Sequence, residues 1–382
     1  MFDVSVIKCD SYNSDEVSAA LSQAIDALGG LDWVEKGMKI AIKANLVSFM
    51  APDKAATTHP ALLCELVKML VERGAEVVIG DSPGGLYNAA FVNKVYKATG
   101  MYEVESCGAT LNKNFDQTET KYSEGVVLKS FVYTSYLDEA DAIINFCKLK
   151  THGMMGMSAA AKNIFGVIPG TVKPEYHFRF PKHDDFARML VDLDEFFKVK
   201  LCICDAVVGM EGNGPTMGKP RKIGAVLAAE SPHKMDLVCA KIIGLTKESV
   251  PTLEAAFERG LIPEKAEQLS VFGDVDSLVI NDYENIPVHT SIEFKKGSTK
   301  FFGKMSAFAM GAVLRSKPAL KSKECVGCGV CRDICPAKAI KIEKGKAIID
   351  RKACIRCFCC QEFCPKGAMK VKRTLLARLC NK

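Results

Sequence analysis

The sequence predicts an α/β domain, a largely parallel but mixed sheet with helices on both faces, followed at the C-terminus by a small α+β module rich in cysteine. Three observations lead there. Short apolar runs alternate with amphipathic helical stretches through the first 290 residues, the pattern of a sheet built from strand–helix units. The chain has 382 residues, 48% hydrophobic and 25% charged, enough for one large core plus a small second domain and too apolar for disorder. Between Cys325 and Pro365 a cysteine run is written twice.

In chain order, residues 2–8 read as an opening strand. Residues 13–28 place Val17, Leu21, Ile25 and Leu28 on one face behind Asn13 or Ser14 as N-cap, with Gly29 and Gly30 as the stop. Residues 37–43 form a strand running into Asn45. Pro60 suits a first helical turn, and Leu63, Leu66, Val67 and Leu70 share a face up to Gly74. Residues 76–80 are a short strand broken by Asp81-Ser82-Pro83-Gly84-Gly85. Residues 92–99 read as helix, and 125–131 and 141–146 as strands. Residues 159–166 read as a helix with a glycine stop, and 186–197 as a helix. A strand over 200–204 ends at Asp205, 209–218 is a loop, 223–229 a strand and 234–243 a helix. The expected division is an α/β domain over residues 1–290, a basic junction with an apolar docking helix over 291–320, and the cysteine module with its basic tail over 321–382.

The net charge is +6, and from Lys321 onward Lys and Arg outnumber Asp and Glu roughly three to one. That excess suits anionic thiolate clusters better than nucleic acid, for which no motif is present. The opening residues lack the basic and apolar regions of a signal peptide. No apolar run approaches the roughly 18 residues that suggest a membrane span. Of the seventeen cysteines, eight fall in cluster spacing and the rest are scattered singly. The expectation is a cytoplasmic protein with free buried thiols.

Each run reads C-x2-C-x2-C-x3-C-P, the spacing that wraps iron–sulfur cubanes in bacterial two-cluster ferredoxins. Three cysteines of a run serve one cluster and the fourth serves the other. The expected sets are therefore Cys325, Cys328, Cys331 and Cys364 for one, and Cys335, Cys354, Cys357 and Cys360 for the other, giving a ferredoxin-like 2[4Fe-4S] module. Structural zinc favours two separated cysteine pairs and fits less well. Cys359 is surplus and is expected to be a buried thiol.

In open α/β sheets, sites lie beyond the carboxyl ends of strands. The predicted strand ends carry Lys43 and Asn45, then Asp81 and Ser82, then Lys148, Lys150 and His152, then Asp205. His59 opens a helix, Lys162 and Asn163 sit on another, and Asn213 lies in the 209–218 loop. Each has an ordinary structural explanation alone. Together they predict a shared rim for a small anion, with Lys43, Asn45, Ser82, Lys148, Lys150, Lys162, Asn163 and Asn213 binding it. His152 or His59 would move protons, and Asp81 and Asp205 would orient them or hold a metal. The Asp81–Gly85 turn could offer a nest of backbone amides.

Lys43-Ala44-Asn45, Gly80-Asp81-Ser82, Lys148-Leu149-Lys150-Thr151-His152, Lys162-Asn163-Ile164-Phe165-Gly166 and Gly212-Asn213-Gly214-Pro215 resemble the stretches of the family called domain of unknown function 362. Its members often carry a C-terminal ferredoxin module. The resemblance implies an α/β domain with a shared rim site and a link to anaerobic metabolism, and supplies no substrate. The function expected is a ferredoxin-linked oxidoreductase passing electrons between two [4Fe-4S] clusters and a small anionic substrate or an unseen cofactor. The rival is a non-catalytic electron carrier or maturation factor whose α/β domain docks a partner. An electron-donor or acceptor protein is an expected partner, and a homo-oligomer is compatible with the sequence.

Overall fold

The computed structural model describes residues 2–286, 288 and 317–372. The chain opens with β1 (Val4–Lys8) and α1 (Ser14–Asp26), whose N-cap Asn13 accepts a hydrogen bond from the Asp15 amide at 3.0 Å. β2 (Lys39–Lys43) leads to α2 (Pro60–Glu72), capped by His59, and then to β3 (Glu76–Gly80). Two helices follow, α3 (Ala89–Thr99) and α4 (Met101–Glu105), then the short β4 (Thr110–Leu111). β5 (Gln117–Lys121) and β6 (Ser130–Thr134) make a separate hairpin.

β7 (Ala142–His152) and β8 (Gly156–Ser158) pair antiparallel and lead into the one-turn α5 (Ala160–Asn163). α6 (Lys173–Arg179), α7 (His183–Phe197), β9 (Leu201–Glu211), β10 (Lys219–Ala229), α8 (Pro232–Ile242), α9 (Pro251–Glu258) and β11 (Val271–Phe272) complete the large domain. The sheet runs β11-β1-β10-β9-β7-β2-β3-β4, with β8 on β7. β9, β7, β2, β3 and β4 are parallel neighbours, and β10 is antiparallel to both β1 and β9. Two cores flank it. Leu21, Leu63, Val95 and Phe146 belong to the one under α1–α4, and Cys147, Phe165, Leu190 and Val238 to the one under α7–α9.

Two strands are longer than their hydrophobic runs. β7 continues through Lys148, Lys150 and His152, and β9 continues through Asp205 to Glu211. Charged residues usually mark a strand's end, but here each is buried against a partner and the ladder carries on. The 209–218 loop therefore shrinks to 212–218. The strand expected at 125–131 lies instead at β6, and β5, α6 and α9 went unpredicted.

The module comprises β12 (Lys317–Leu320), α10 (Val330–Asp333), β13 (Ile340–Glu343), β14 (Lys346–Ile349), α11 (Cys359–Glu362) and β15 (Met369–Lys372). β12 pairs antiparallel with β15, so the module's sheet begins ahead of residue 321, inside the expected junction. The proposed docking helix over 301–314 lies outside the described residues. Cys64 and Cys107 form a disulfide joining α2 to the turn after α4, with Cα atoms 5.6 Å apart. Two of the thiols expected to be free are thus paired, because helix packing brings scattered cysteines together.

The module is seated on the large domain. Phe358, 2% exposed, joins the core beneath α7–α9. It holds φ at 62°, where the first cysteine run has Gly329 at 83°. A left-handed φ costs an L-residue roughly 1–2 kcal/mol, which the burial of a phenyl ring offsets. Gln361 is fully buried and donates to the carbonyls of Asn213 (3.1 Å) and Gly214 (3.0 Å), while Thr216 Oγ1 donates to Glu362 O at 2.9 Å.

Candidate functional site

The cysteines group in space as two sets of four. Cys325, Cys328, Cys331 and Cys364 line one cavity of about 340 Å³, and Cys335, Cys354, Cys357 and Cys360, with Cys359 beside them, line another of about 300 Å³. Each run's fourth cysteine faces the other run's first three. The Ala339 and Ala368 amides donate to the sulfurs of Cys335 and Cys364, both at 3.2 Å. Such N–H···S bonds stabilise thiolates and help set the potential of a bound iron–sulfur group. Four thiols around an apolar cavity, with amides directed at sulfur, fit that group. Cys359 is buried beside Cys357, whose thiolate it stabilises by a hydrogen bond.

At the carboxyl ends of the central strands lies a third cavity, of about 460 Å³ counting the part open to solvent. One hydrogen-bonded relay organises its floor. Lys43, the last residue of β2, pairs with Asp81 just beyond β3 at 2.9 Å. Lys43 Nζ also donates to Asn163 Oδ1 (2.9 Å), which accepts from Asn45 Nδ2 (2.7 Å) as well. Asn45 Oδ1 in turn accepts from Lys150 Nζ at 2.7 Å. Asp81 Oδ2 accepts from the Leu46 amide at 2.8 Å. A Cβ on Gly166 would run into both Lys43 and Asp81, so glycine is what allows α5's end to close over the pair.

Four lysines reach this cavity and burial disfavours the charge on each. Lys150 is pushed down to about 7, mainly by burial, and Lys173 also to about 7 for the same reason. Lys43 and Lys162 are lowered as well, burial first. Lys162 makes no hydrogen bond or ion pair among the described residues and lies 4.6 Å from the centre of the Phe165 ring. His152 Nδ1 accepts from the Met154 (3.1 Å) and Met155 (3.2 Å) amides. Its proton is therefore on Nε2, which is buried without a partner. Burial, then the charge of Lys162, holds its pKa well below the usual histidine value. His152 is a neutral donor here, so the expectation that it could also accept a proton narrows. Ser82 Oγ is likewise buried and unpartnered.

The anticipated rim divides. Lys43, Asn45, Asp81, Ser82, Lys150, His152, Lys162 and Asn163 share the cavity. Lys148, Asp205 and His59 do not. They form a cluster with Tyr12, in which Lys148 Nζ donates to Asp205 and to Tyr12 Oη, both at 2.8 Å, and the His59 amide donates to Asp205 at 3.0 Å. Tyr12 stacks on His59 with ring centres 3.6 Å apart. Burial pushes His59 down to about 4. This fully paired group ties α1 and α2 to β7 and β9. Asn213 lies at the seat of the module. The Asp81–Gly85 nest does not form either, because the Ser82 amide donates to Gly166 O at 3.1 Å and the Gly84 amide to Val47 O at 2.9 Å.

Four contributors carried no sequence signal. Lys173, at the start of α6, sends its ammonium to the carbonyls of Ser82 and Ile168. Phe363 and Glu362 reach the cavity from the module. Asp236 on α8 accepts from the Ala160 (2.7 Å) and Ala161 (3.1 Å) amides, fixing the start of the turn that presents Lys162 and Asn163. Burial raises Asp236 from its ordinary 3.8 to about 8. Between those values the folded chain holds a proton that the unfolded chain has released, so this group's stabilising contribution is lost as pH rises through about 8. Asp236→Asn should therefore gain on the wild type as pH goes from about 5 to about 9, in urea midpoints. A pH-independent difference would remove this reading.

Comparisons with known proteins bear on this arrangement. Residues 40–241 match the family described as Domain of unknown function (DUF362). The chain belongs to this family. The DUF362 region contains every residue of the cavity floor, from Lys43 to Lys173. Residues 317–365 match the 4Fe-4S dicluster domain, an iron–sulfur electron-transfer module. A thylakoid-associated protein of Synechocystis sp. is 28% identical over 299 residues, covering 76% of this chain and 90% of that protein. Among solved structures, the lactate racemase apoprotein of Thermoanaerobacterium thermosaccharolyticum aligns with a TM-score of 0.39 at 14% identity. That alignment covers 64% of this chain and spans 58% of that one. A Thermotoga maritima protein aligns at 0.34 and 15% identity, over 56% of this chain and 55% of that one. Among the described residues no helix is long and apolar enough to cross a membrane.

Proposed function

We propose that the protein is an oxidoreductase that passes electrons between its iron–sulfur module and a small anionic molecule held in the cavity at the strand ends. One observation carries this reading. The segment from Cys360 to Cys364 supplies one cysteine to each four-cysteine set, and two of the three residues between them, Glu362 and Phe363, wall the cavity. A bound molecule would therefore touch residues no more than two positions from a cysteine of either set on at least one side.

When loaded, an iron–sulfur group at each set would supply one electron. A two-electron, two-proton reduction would draw its electrons through both sets from a reduced carrier protein and its two protons from the ammonium groups of Lys150 and Lys173, which sit near 7. Lys150, Lys162 and Lys173 attract the anion, and His152 Nε2–H donates to an oxygen that gains negative charge. The seating of Phe358 and Gln361 keeps water from the junction. The test uses the full chain, purified without oxygen and reduced with dithionite. Small anions are added and cluster reoxidation is followed by visible absorbance. Reoxidation should slow in Lys162→Met and His152→Phe variants with intact clusters. Equal rates in wild type and both variants would sink the proposal.

A further inference from the structure

The charges and donors of the cavity narrow the class of molecule it takes, an inference that rests on the redox reading for its consequence but not for its test. Lys43 is neutralised by Asp81 at 2.9 Å. Lys150, Lys162 and Lys173 form no ion pair among the described residues, and Glu362 is the remaining carboxylate on the wall. With all of these ionised, the cavity keeps two uncompensated positive charges. Its free hydrogen-bonding capacity is mostly donor. His152 Nε2–H and the Ser82 hydroxyl are buried with no partner. Lys150 uses two of its three N–H groups, on Asn45 Oδ1 and Ala56 O, and Lys173 uses two, on the Ser82 and Ile168 carbonyls.

The acceptors are fewer: Glu362 is an open carboxylate, and Asp81 Oδ1 meets Lys43 as an ion pair without a hydrogen bond. Asp81 is held by Lys43 and the Leu46 amide, Asn45 Oδ1 by Lys150, and Asn163 Oδ1 by Lys43 and Asn45. A neutral sugar or alcohol would leave both cations unmatched and bring more donors than Glu362 can take, and a buried donor left unpaired is costly. A monoanion would leave one buried cation unmatched. We infer that the cavity binds a small oxyanion of charge minus two whose oxygens only accept hydrogen bonds.

Short dicarboxylates and hydrogen phosphate share this chemistry. The Phe165 and Phe363 rings on the walls offer apolar contact to a carbon chain but nothing to phosphate. Because Lys150 and Lys173 sit near 7 when the cavity is empty, a dianion raises their pKa and draws protons in. Binding is then pH-independent well below about 7 and weakens as pH rises above it.

The experiment is isothermal titration of the full, cluster-loaded chain with oxalate, malonate, hydrogen phosphate, sulfate and acetate, at about pH 6.5 and 8.5. Oxalate, whose own charge is constant across that range, should bind more tightly at the lower pH and take up protons at the higher. Lys162→Met should weaken the bound dianion about ten- to a hundredfold, with the far-ultraviolet spectrum unchanged. Acetate should bind at least tenfold more weakly. Tighter binding of oxalate and malonate than of phosphate assigns the apolar walls to a carbon chain, and the reverse order assigns the site to phosphate. The inference is overturned if no dianion binds, if acetate matches the dianions, or if Lys162→Met changes nothing. Dianion binding with no electron transfer would remove the redox reading alone. Reduction of a neutral molecule in the cavity would remove this inference alone.

Discussion

Gly84→Val should leave the iron–sulfur module intact and slow anion-dependent reoxidation of the reduced protein at least about tenfold. Gly84 follows β3 in the turn beneath the module, and a Cβ there would run into the Phe363 ring. Its backbone does not require glycine, since no left-handed φ is found at this position, so the substitution acts through the collision. Overpacking of this kind costs about 1–3 kcal/mol, and about 1.4 kcal/mol is a tenfold change in an equilibrium. Phe363 is the shift of least resistance because it is half-buried at the junction, and moving it opens the wall between cavity and cysteines. The check is a paired variant. Gly84→Val with Phe363→Ala relieves the collision and should recover part of the rate. If the single variant loses its iron, or the pair is no better than Gly84→Val, the wall is not what couples the two parts.

Iron content should follow the spatial sets of cysteines and not the sequence runs. Wild type is expected to hold about eight irons and eight labile sulfides per chain. Cys328→Ala and Cys364→Ala are each expected to lose about half of that iron, and the double variant to lose no more than either single one, because both thiols line the same cavity. Cys331→Ala with Cys335→Ala should behave differently. These cysteines are four residues apart in one run yet line different cavities, so the pair should approach zero iron. Near-zero iron in the Cys328/Cys364 pair, with half retained in the Cys331/Cys335 pair, would overturn the crossed assignment. Each variant keeps at least six of the eight cluster cysteines and the large domain's core, so the α/β fold remains measurable by circular dichroism.

The parts of this architecture that repeat were legible in the sequence. The spacing of the cysteine runs separated the two sets, because ligand geometry is written in a few adjacent residues. The 3.6-residue pattern from Val17 to Ile25 and from Leu63 to Leu70 gave α1 and α2, since an amphipathic helix shows its buried face locally. Of the rim, the residues on β2, β3 and α5 converged as expected. Lys148 and Asp205 misled because a strand end was inferred from charge, whereas β7 and β9 bury their charges in pairs and continue. Lys173 was invisible, because a lysine before a proline looks like any surface lysine until α6 folds back over Ser82. Asp236 was equally silent, lying about seventy residues from the amides it caps. The module's seat depends on contacts between segments more than a hundred residues apart, which no local pattern encodes.

The two cysteine runs are copies, and copies of this kind are related by an approximate two-fold axis. Such an object offers two equivalent faces and could in principle be mounted either way round. The three residues between the third and fourth cysteines break the tie. In the first copy they are Arg332, Asp333 and Ile334, with Arg332 paired to Asp333 in solvent at 2.7 Å. In the second they are Gln361, Glu362 and Phe363, and Gln361 is fully buried. Gly329 and Val330 of the first copy correspond to Phe358 and Cys359 of the second, and Val330 is 38% exposed where Cys359 is 1%. A duplication thus became handed through a few side chains, fixing which half faces inward and which outward. Exchanging those residues between the halves is the change that would turn the module around on its seat.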